Sequence, residues 1–398
     1  MLKSLKEVMY HNFYENKDTE HKIRKINIPI YYNFGEMLDL FMELHSSTIN
    51  GENSPSMVTV LCVTFSAYRT AIKKGFNALY LYDYLDFNDK DFYANKPIPT
   101  FGFALLESAD SLSYGVIESL HKQMNPETFF YIFYDNMIPK RFLQHDDIVP
   151  FYETVYDVSR VSSDKNAINV SIRHFLNFLR QKNNSLEKAL TGKNINIDKE
   201  EIEEIEEFKE FEVSKYLDLD KPIITPNITI LFSLNMKIRN HLGLTNQDDP
   251  IKPQIGEWMI AERGIEVTDT QTGDRYVLPI GTRFKVKDCS LNRDYVYILK
   301  FDLERPDGSI KEVLTYASKR YLEFMNYGNS ELPHAPYSYC INYGYVVMSP
   351  CVINNEFEEG IVLFNSKLCI DKKELYSAII PIKRKVTILY SNRKKLSV

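Results

Sequence analysis

The spacing of apolar positions changes along this chain, and the changes mark its parts. Ile26, Ile28 and Ile30 alternate within Lys25–Tyr32, the period of a strand. Pro29 inside that run removes a ladder donor and predicts an edge strand. Asn33 then caps a helix with Glu36 in the capping-box position and Met37, Leu38, Phe41 and Leu44 as its apolar stripe. Val58–Phe65 is continuously apolar over the length of one strand, as a strand covered on both faces requires. Ser66 is the expected cap of the next helix, which stops at Gly75. Leu79–Tyr82, Phe101–Leu106 and Phe129–Tyr134 read as further strands and Ser111–Lys122 as a helix. This alternation predicts an α/β N-terminal domain over residues 1–160.

Helical periods follow. Ile168, Ile172, Phe175 and Leu179 recur at steps of four, three and four within 166–184. Ile202, Ile205, Phe208 and Phe211 recur every third residue, which predicts an interaction helix with one narrow apolar stripe. Pro222 and Pro226 read as a boundary, and Asn235–Leu242 as a short helix. Residues 161–250 are therefore expected to form a helical connector. From Gly256 onward short runs alternate with turn sequences such as Thr272-Gly273-Asp274 and Pro306-Asp307-Gly308. Asp294–Glu304 and Ser309–Tyr316 flank the second of these as a hairpin. Residues 251–398 are expected to be β-rich, a small barrel or sandwich. The fold class expected is α+β multidomain: an α/β domain, an acidic helical connector and a β-rich domain.

Charge sharpens the picture at one segment. The 398 residues carry a formal charge of −6, and residues 198–212 hold nine acids against two bases. Like charges three and four apart oppose a helix by a few tenths of a kcal/mol per pair, on the order given for exposed helices. The stripe from Ile202 to Phe211 therefore needs a surface to cover, and a basic one serves best. The five cysteines, Cys62, Cys289, Cys340, Cys351 and Cys369, include no C-x-x-C pair, so a zinc ribbon is not expected. The longest apolar runs, Val58–Phe65 and Ile228–Phe232, are far shorter than a membrane span. Reduced thiols in a cytoplasmic protein, or in a particle assembled in cytoplasm, with no membrane partner, are the expectation.

Candidate chemistry is sparse. Thr191-Gly192-Lys193 lacks the earlier glycine and the preceding strand of a phosphate loop. His145-Asp146-Asp147 reads as a polar turn, and Glu207-Phe208-Lys209 lacks the partner strand of a nuclease pattern. No cofactor is implied. Asp83, Glu107 and Asp135 each follow a strand of the first domain, where converging carboxylates would hold a divalent cation for a metal-dependent enzyme. Arg283, Lys285 and Lys287 alternate, so one strand face collects three cations. Tyr295 and Tyr297 on the next strand would add stacking surfaces, and Lys383-Arg384-Lys385 and Arg393-Lys394-Lys395 add charge. The leading expectation is a non-enzymatic assembly or protein-interaction protein that joins other protein subunits. Its Ile, Lys, Asn and Tyr content matches many proteins of large bacteriophages, and a phage-encoded virion component is the form this expectation takes. The alternative is a nucleic-acid-associated factor using the basic β face; the metal-dependent enzyme is third.

Overall fold

The structure is a computed structural model. It describes residues 23–27, 34–45, 55–87, 92–110, 112–135, 137–138, 152–153, 170–181, 202–204, 213, 217–218, 221–292, 295–327, 339–365 and 371–391. The chain divides into two compact units, 1–167 and 168–398.

The first unit runs β1 (Ile23–Asn27), α1 (Phe34–His45), β2 (Val58–Cys62), α2 (Phe65–Lys73), β3 (Asn77–Tyr80), β4 (Leu85–Phe87), β5 (Phe92–Ala94), β6 (Phe103–Leu106), α3 (Tyr114–Lys122), β7 (Phe129–Tyr134) and β8 (Tyr152–Glu153). Six strands form one sheet in the order β3-β2-β6-β7-β1-β8, and every pairing in it is parallel. All five residues of β2 are buried, which is why its sequence is a continuous apolar run rather than an alternation. Met37, Leu38 and Phe41 of α1 and Ala67 and Ala71 of α2 pack into one core with Val58, Val60, Leu105, Tyr131 and Phe133. Phe41 meets the rings of Phe103 and Tyr131 edge-on at 5.9 and 5.7 Å.

Two local expectations are corrected here. Thr64, not Ser66, caps α2: its hydroxyl accepts the Ala67 amide at 3.2 Å. The strand β1 is interior, between β7 and β8, so the edge position inferred from Pro29 does not hold. The strand spans Ile23–Asn27, and Pro29 lies outside the described residues.

The second unit runs α4 (Val170–Arg180), β9 (Ile202–Glu204), β10 (Ile223–Thr225), α5 (Ile228–His241), β11 (Trp258–Ala261), β12 (Ile265–Asp269), β13 (Arg275–Leu278), β14 (Arg283–Lys285), β15 (Asp288–Leu291), β16 (Val296–Glu304), β17 (Ile310–Ser318), α6 (Lys319–Tyr327), β18 (Ile341–Tyr343), β19 (Val346–Met348), β20 (Phe357–Asn365), α7 (Lys372–Ile379) and β21 (Ile382–Ser391). Its first sheet is again parallel, β19-β10-β20-β21-β9. Two antiparallel sheets lie in sequence between β10 and β19: β14-β11-β18, and the meander β13-β12-β17-β16-β15. The hairpin β16–β17 turns where the Pro-Asp-Gly sequence predicts, and β16 alternates buried and exposed residues along its length. Ile172, Phe175 and Leu179 of α4 are buried, as their spacing predicts.

The β-rich expectation is corrected in kind. No closed barrel is found among the described residues, and the strands nearest the C-terminus belong to a parallel sheet with helices between them. The acidic helix is corrected at its start: Ile202–Glu204 is a strand, paired in parallel with Ile388–Tyr390. A period of three over a short acidic stretch fits a helix stripe, but pairing with a formed neighbouring strand decided these three residues. Ile205, Phe208 and Phe211 lie outside the described residues. No helix among the described residues is long and apolar enough to cross a membrane.

Candidate nucleic-acid interface

In open parallel sheets a ligand crevice forms where neighbouring strands send their connections to opposite sides. In the first unit β2 leads to β3 on one side and β6 leads to β7 on the other. The crevice at their carboxyl ends is bridged by the chain itself. One oxygen of Glu107 accepts the amides of Val63 at 2.9 Å and Thr64 at 3.0 Å; the other accepts the Thr64 hydroxyl at 2.8 Å. In the second unit the corresponding neighbours are β10 and β20, and Asn227 Oδ1 accepts the Asn365 amide across them at 3.0 Å. The Val63, Thr64 and Asn365 amides at these two points are engaged by side-chain oxygens of the chain itself.

The three carboxylates proposed as cation ligands therefore have separate positions. Glu107 holds the β2–α2 turn. Asp135 accepts the Met137 amide at 2.9 Å beyond β7, and Asp83 lies in a short 3-10 turn after β3. Among the described residues no group of three His, Cys, Asp or Glu side chains is placed to hold a metal ion. Sequence reading missed the neighbour that matters at Asp135. Asp110 accepts the Asp135 amide at 2.9 Å and the Ser108 hydroxyl at 3.1 Å, and burial, then the Asp135 carboxylate, push it up to about 8. His145, Asp146 and Asp147, Thr191, Gly192 and Lys193, and Glu207, Phe208 and Lys209 lie outside the described residues.

The sheet β14-β11-β18 carries a different arrangement. Antiparallel register sets Trp258 opposite Lys285 and Ile260 opposite Arg283. Side chains two apart on a strand share a face, so both cations reach the half-buried indole. The Arg283 guanidinium lies over the Trp258 ring at 4.2 Å from its centroid, and the Lys285 ammonium at 5.5 Å. Contacts of this kind are worth about 0.5–1 kcal/mol at exposed sites. Arg283 Nε also donates to the Gly344 carbonyl at 2.9 Å, and the Gly344 amide donates to the Trp258 carbonyl at 2.8 Å. The indole Nε1–H is shielded and meets no acceptor among the described residues.

A buried clasp fixes the start of β11. Arg239 of α5 and Glu257 are both fully buried; Nε meets Oε1 at 2.6 Å and Nη2 meets Oε2 at 3.3 Å. The same guanidinium donates to the carbonyls of Leu244, Pro250 and Lys252, and stacks on Tyr343 at 4.2 Å. Burial raises the Glu257 carboxyl above its usual range, and the guanidinium beside it works against that rise. Trp258 is the next residue, so its strand begins from a rigid point.

The structure separates the residues that sequence reading grouped. Arg283 and Lys285 share the Trp258 face. Lys287 lies two residues beyond β14 and is engaged by Asp302 at 2.8 Å and Glu312 at 3.0 Å. Tyr297 is fully buried, its hydroxyl donating to Asp249 at 2.7 Å. Tyr295 is 63% exposed and holds a left-handed backbone, φ 59°. Lys383 pairs with Glu356 and Arg384 with Glu358, while Arg393, Lys394 and Lys395 lie outside the described residues. Trp258 was missed because its strand shows only a short apolar run; strand register, which a sequence does not print, supplies the missing signal.

No protein-family model and no curated protein matches the sequence. Solved structures align with it over almost their whole length. A Pif1 helicase from Bacteroides, solved with ADP-AlF3 and ssDNA, matches at a TM-score of 0.45 and 11% identity over 98% of this chain and 92% of its own. A Pif1 structure addressing DNA unwinding at forked dsDNA matches at 0.44 and 9%, over 100% and 94%. The Pif1 helicase of Candida albicans matches at 0.39 and 9%, over 99% and 95%. The expectation of a non-enzymatic assembly protein or virion component is corrected to this extent: the solved structures that align with the chain are described as helicases, and none of those reported is a virion component. Likeness at this level assigns no activity and no site residue to the chain.

Proposed function

We propose that this chain is a nucleic-acid-binding protein whose contact face is the sheet β14-β11-β18 of the second unit. One observation carries the reading: Arg283 and Lys285 lie against the chain's single tryptophan on one sheet face. Phosphates need clustered cations, and this face gathers two of them on one aromatic ring within one register. Lys285 has no carboxylate partner among the described residues, so its charge is available to a phosphate. One aligned structure is described as addressing DNA unwinding at forked dsDNA and another as a complex with ssDNA; both properties remain theirs, and the proposal for this chain is binding alone.

The test is titration of labelled single-stranded and duplex oligonucleotides by anisotropy from about 50 to about 200 mM salt. Affinity should fall steeply with salt, and Arg283→Glu with Lys285→Glu should weaken binding at least about tenfold. Lys287→Ala should change it little, because Lys287 is already paired with two carboxylates. Absence of binding at about 50 mM salt would sink the reading.

A further inference from the structure

We propose that Gly344 is a positioning residue for this face: its backbone brackets Trp258 and Arg283 and holds the guanidinium on the indole. The inference rests on the nucleic-acid reading for its purpose, but its geometry stands alone. Gly344 touches both members of the pair through main-chain groups. Its N–H donates to the Trp258 carbonyl at 2.8 Å, and its carbonyl accepts from Arg283 Nε at 2.9 Å. One residue thus fixes the strand that carries the ring and the side chain that lies over it.

The absence of a side chain matters at this position. A Cβ on Gly344 would sit 3.1 Å from the Met259 carbonyl oxygen and 3.3 Å from Arg283 Nε. Both are tighter than ordinary contact. Met259 is backbone in the middle of β11, paired on both sides, and yields little. The arginine is the softer neighbour, so a methyl group moves the guanidinium first. Its departure also removes the donor from the Gly344 carbonyl. The guanidinium is planar with fixed donors, so its stacking on the ring and its bond to the carbonyl are set together.

A bracket of this kind favours binding by removing disorder in advance. A free arginine loses rotamer entropy when it meets a phosphate. Arg283 has given up part of that freedom already, against the Trp258 ring. Gly344 therefore sets how ready the face is, without touching the ligand.

The experiment uses the full chain, and the single tryptophan makes intrinsic fluorescence specific to this face. Gly344→Ala and Arg283→Lys are compared with wild type by emission maximum, acrylamide quenching and thermal melting, then by oligonucleotide affinity. Gly344→Ala should melt cooperatively, shift the emission and raise acrylamide quenching, because the ring loses its cover. Arg283→Lys should give the same optical change, since lysine keeps the charge but not the planar fork. The double variant should add nothing to either. Affinity should fall about two- to fivefold in each single variant. Unchanged emission and quenching in a folded Gly344→Ala protein overturns the proposal. If that variant does not fold, Arg283→Lys decides: no optical change there overturns it too. A wild type that binds no oligonucleotide removes the nucleic-acid reading, while the optical comparison still judges the bracket.

Discussion

Asp110 sits beyond β6 with one oxygen on the Asp135 amide and the other on the Ser108 hydroxyl. Burial and the neighbouring Asp135 raise its folded-state value from 3.8 to about 8. A carboxyl raised on folding holds its proton in the native state while the unfolded chain gives it up. Its contribution is therefore most favourable below the unfolded value and declines as pH rises toward the folded one. Asp110→Asn removes the charge and keeps the geometry, because its amide oxygen still accepts from Asp135 and its nitrogen can donate to Ser108. The variant should melt above wild type near pH 8, with the difference closing toward pH 4. Melting curves across that window check it; a constant difference at every pH would reject the assignment. Neither Asp110 nor the effect of Asp135 on it was legible in the sequence. Each residue follows a different strand, and only the parallel pairing of β6 with β7 brings the two together. Glu107 is picked out from sequence as a candidate cation ligand; in the structure its carboxylate accepts the Val63 and Thr64 amides.

At the scale of elements, the pairing of Arg239 with Glu257 decides how α5 and β11 meet. Both side chains are fully buried, and the guanidinium also satisfies three carbonyls of the 244–252 loop. Removing one member of such a pair leaves a buried charge uncompensated, at a cost of about 3–5 kcal/mol. Arg239→Ala should lower stability by that order in urea unfolding. Replacing both residues with apolar ones of similar volume, Arg239→Met with Glu257→Met, should cost less than the single change. A double variant worse than the single one would show that the carbonyl contacts, not the ion pair, set the energy. The regular elements themselves were largely readable: β2, α3, β7, α4 and the β16–β17 hairpin form where the period predicts. The failures fall where a neighbour outvoted the local pattern, at Ile202–Glu204 and at the interior strand β1.

At the scale of the whole molecule, the two units carry separate cores, one around Phe41 and Tyr131 and one around Met259, Leu299 and Tyr343. Trp258 belongs to the second unit, so its fluorescence reports on that unit, whereas far-UV circular dichroism reports on both. Urea unfolding followed by the two signals should give curves that do not coincide. Superimposable transitions would mean that the units unfold as one cooperative body. The same division bears on function. The proposed contact face lies wholly within the second unit, and at the β2 and β6 strand ends of the first unit Glu107 accepts the Val63 and Thr64 amides.

Most strands and helices of the first unit, the buried faces of α1 and α4 and the position of the main hairpin follow from the sequence, because periodicity and turn chemistry act within a few residues. So does the choice of Arg283 and Lys285 as residues of one face. Tertiary structure alone decided that the C-terminal half contains a parallel sheet, that Lys287 is neutralised and Tyr297 buried, and that Trp258 lies beneath the two cations. Those outcomes depend on which strand pairs with which and in what register, and contacts between residues tens of positions apart leave no local trace in the chain.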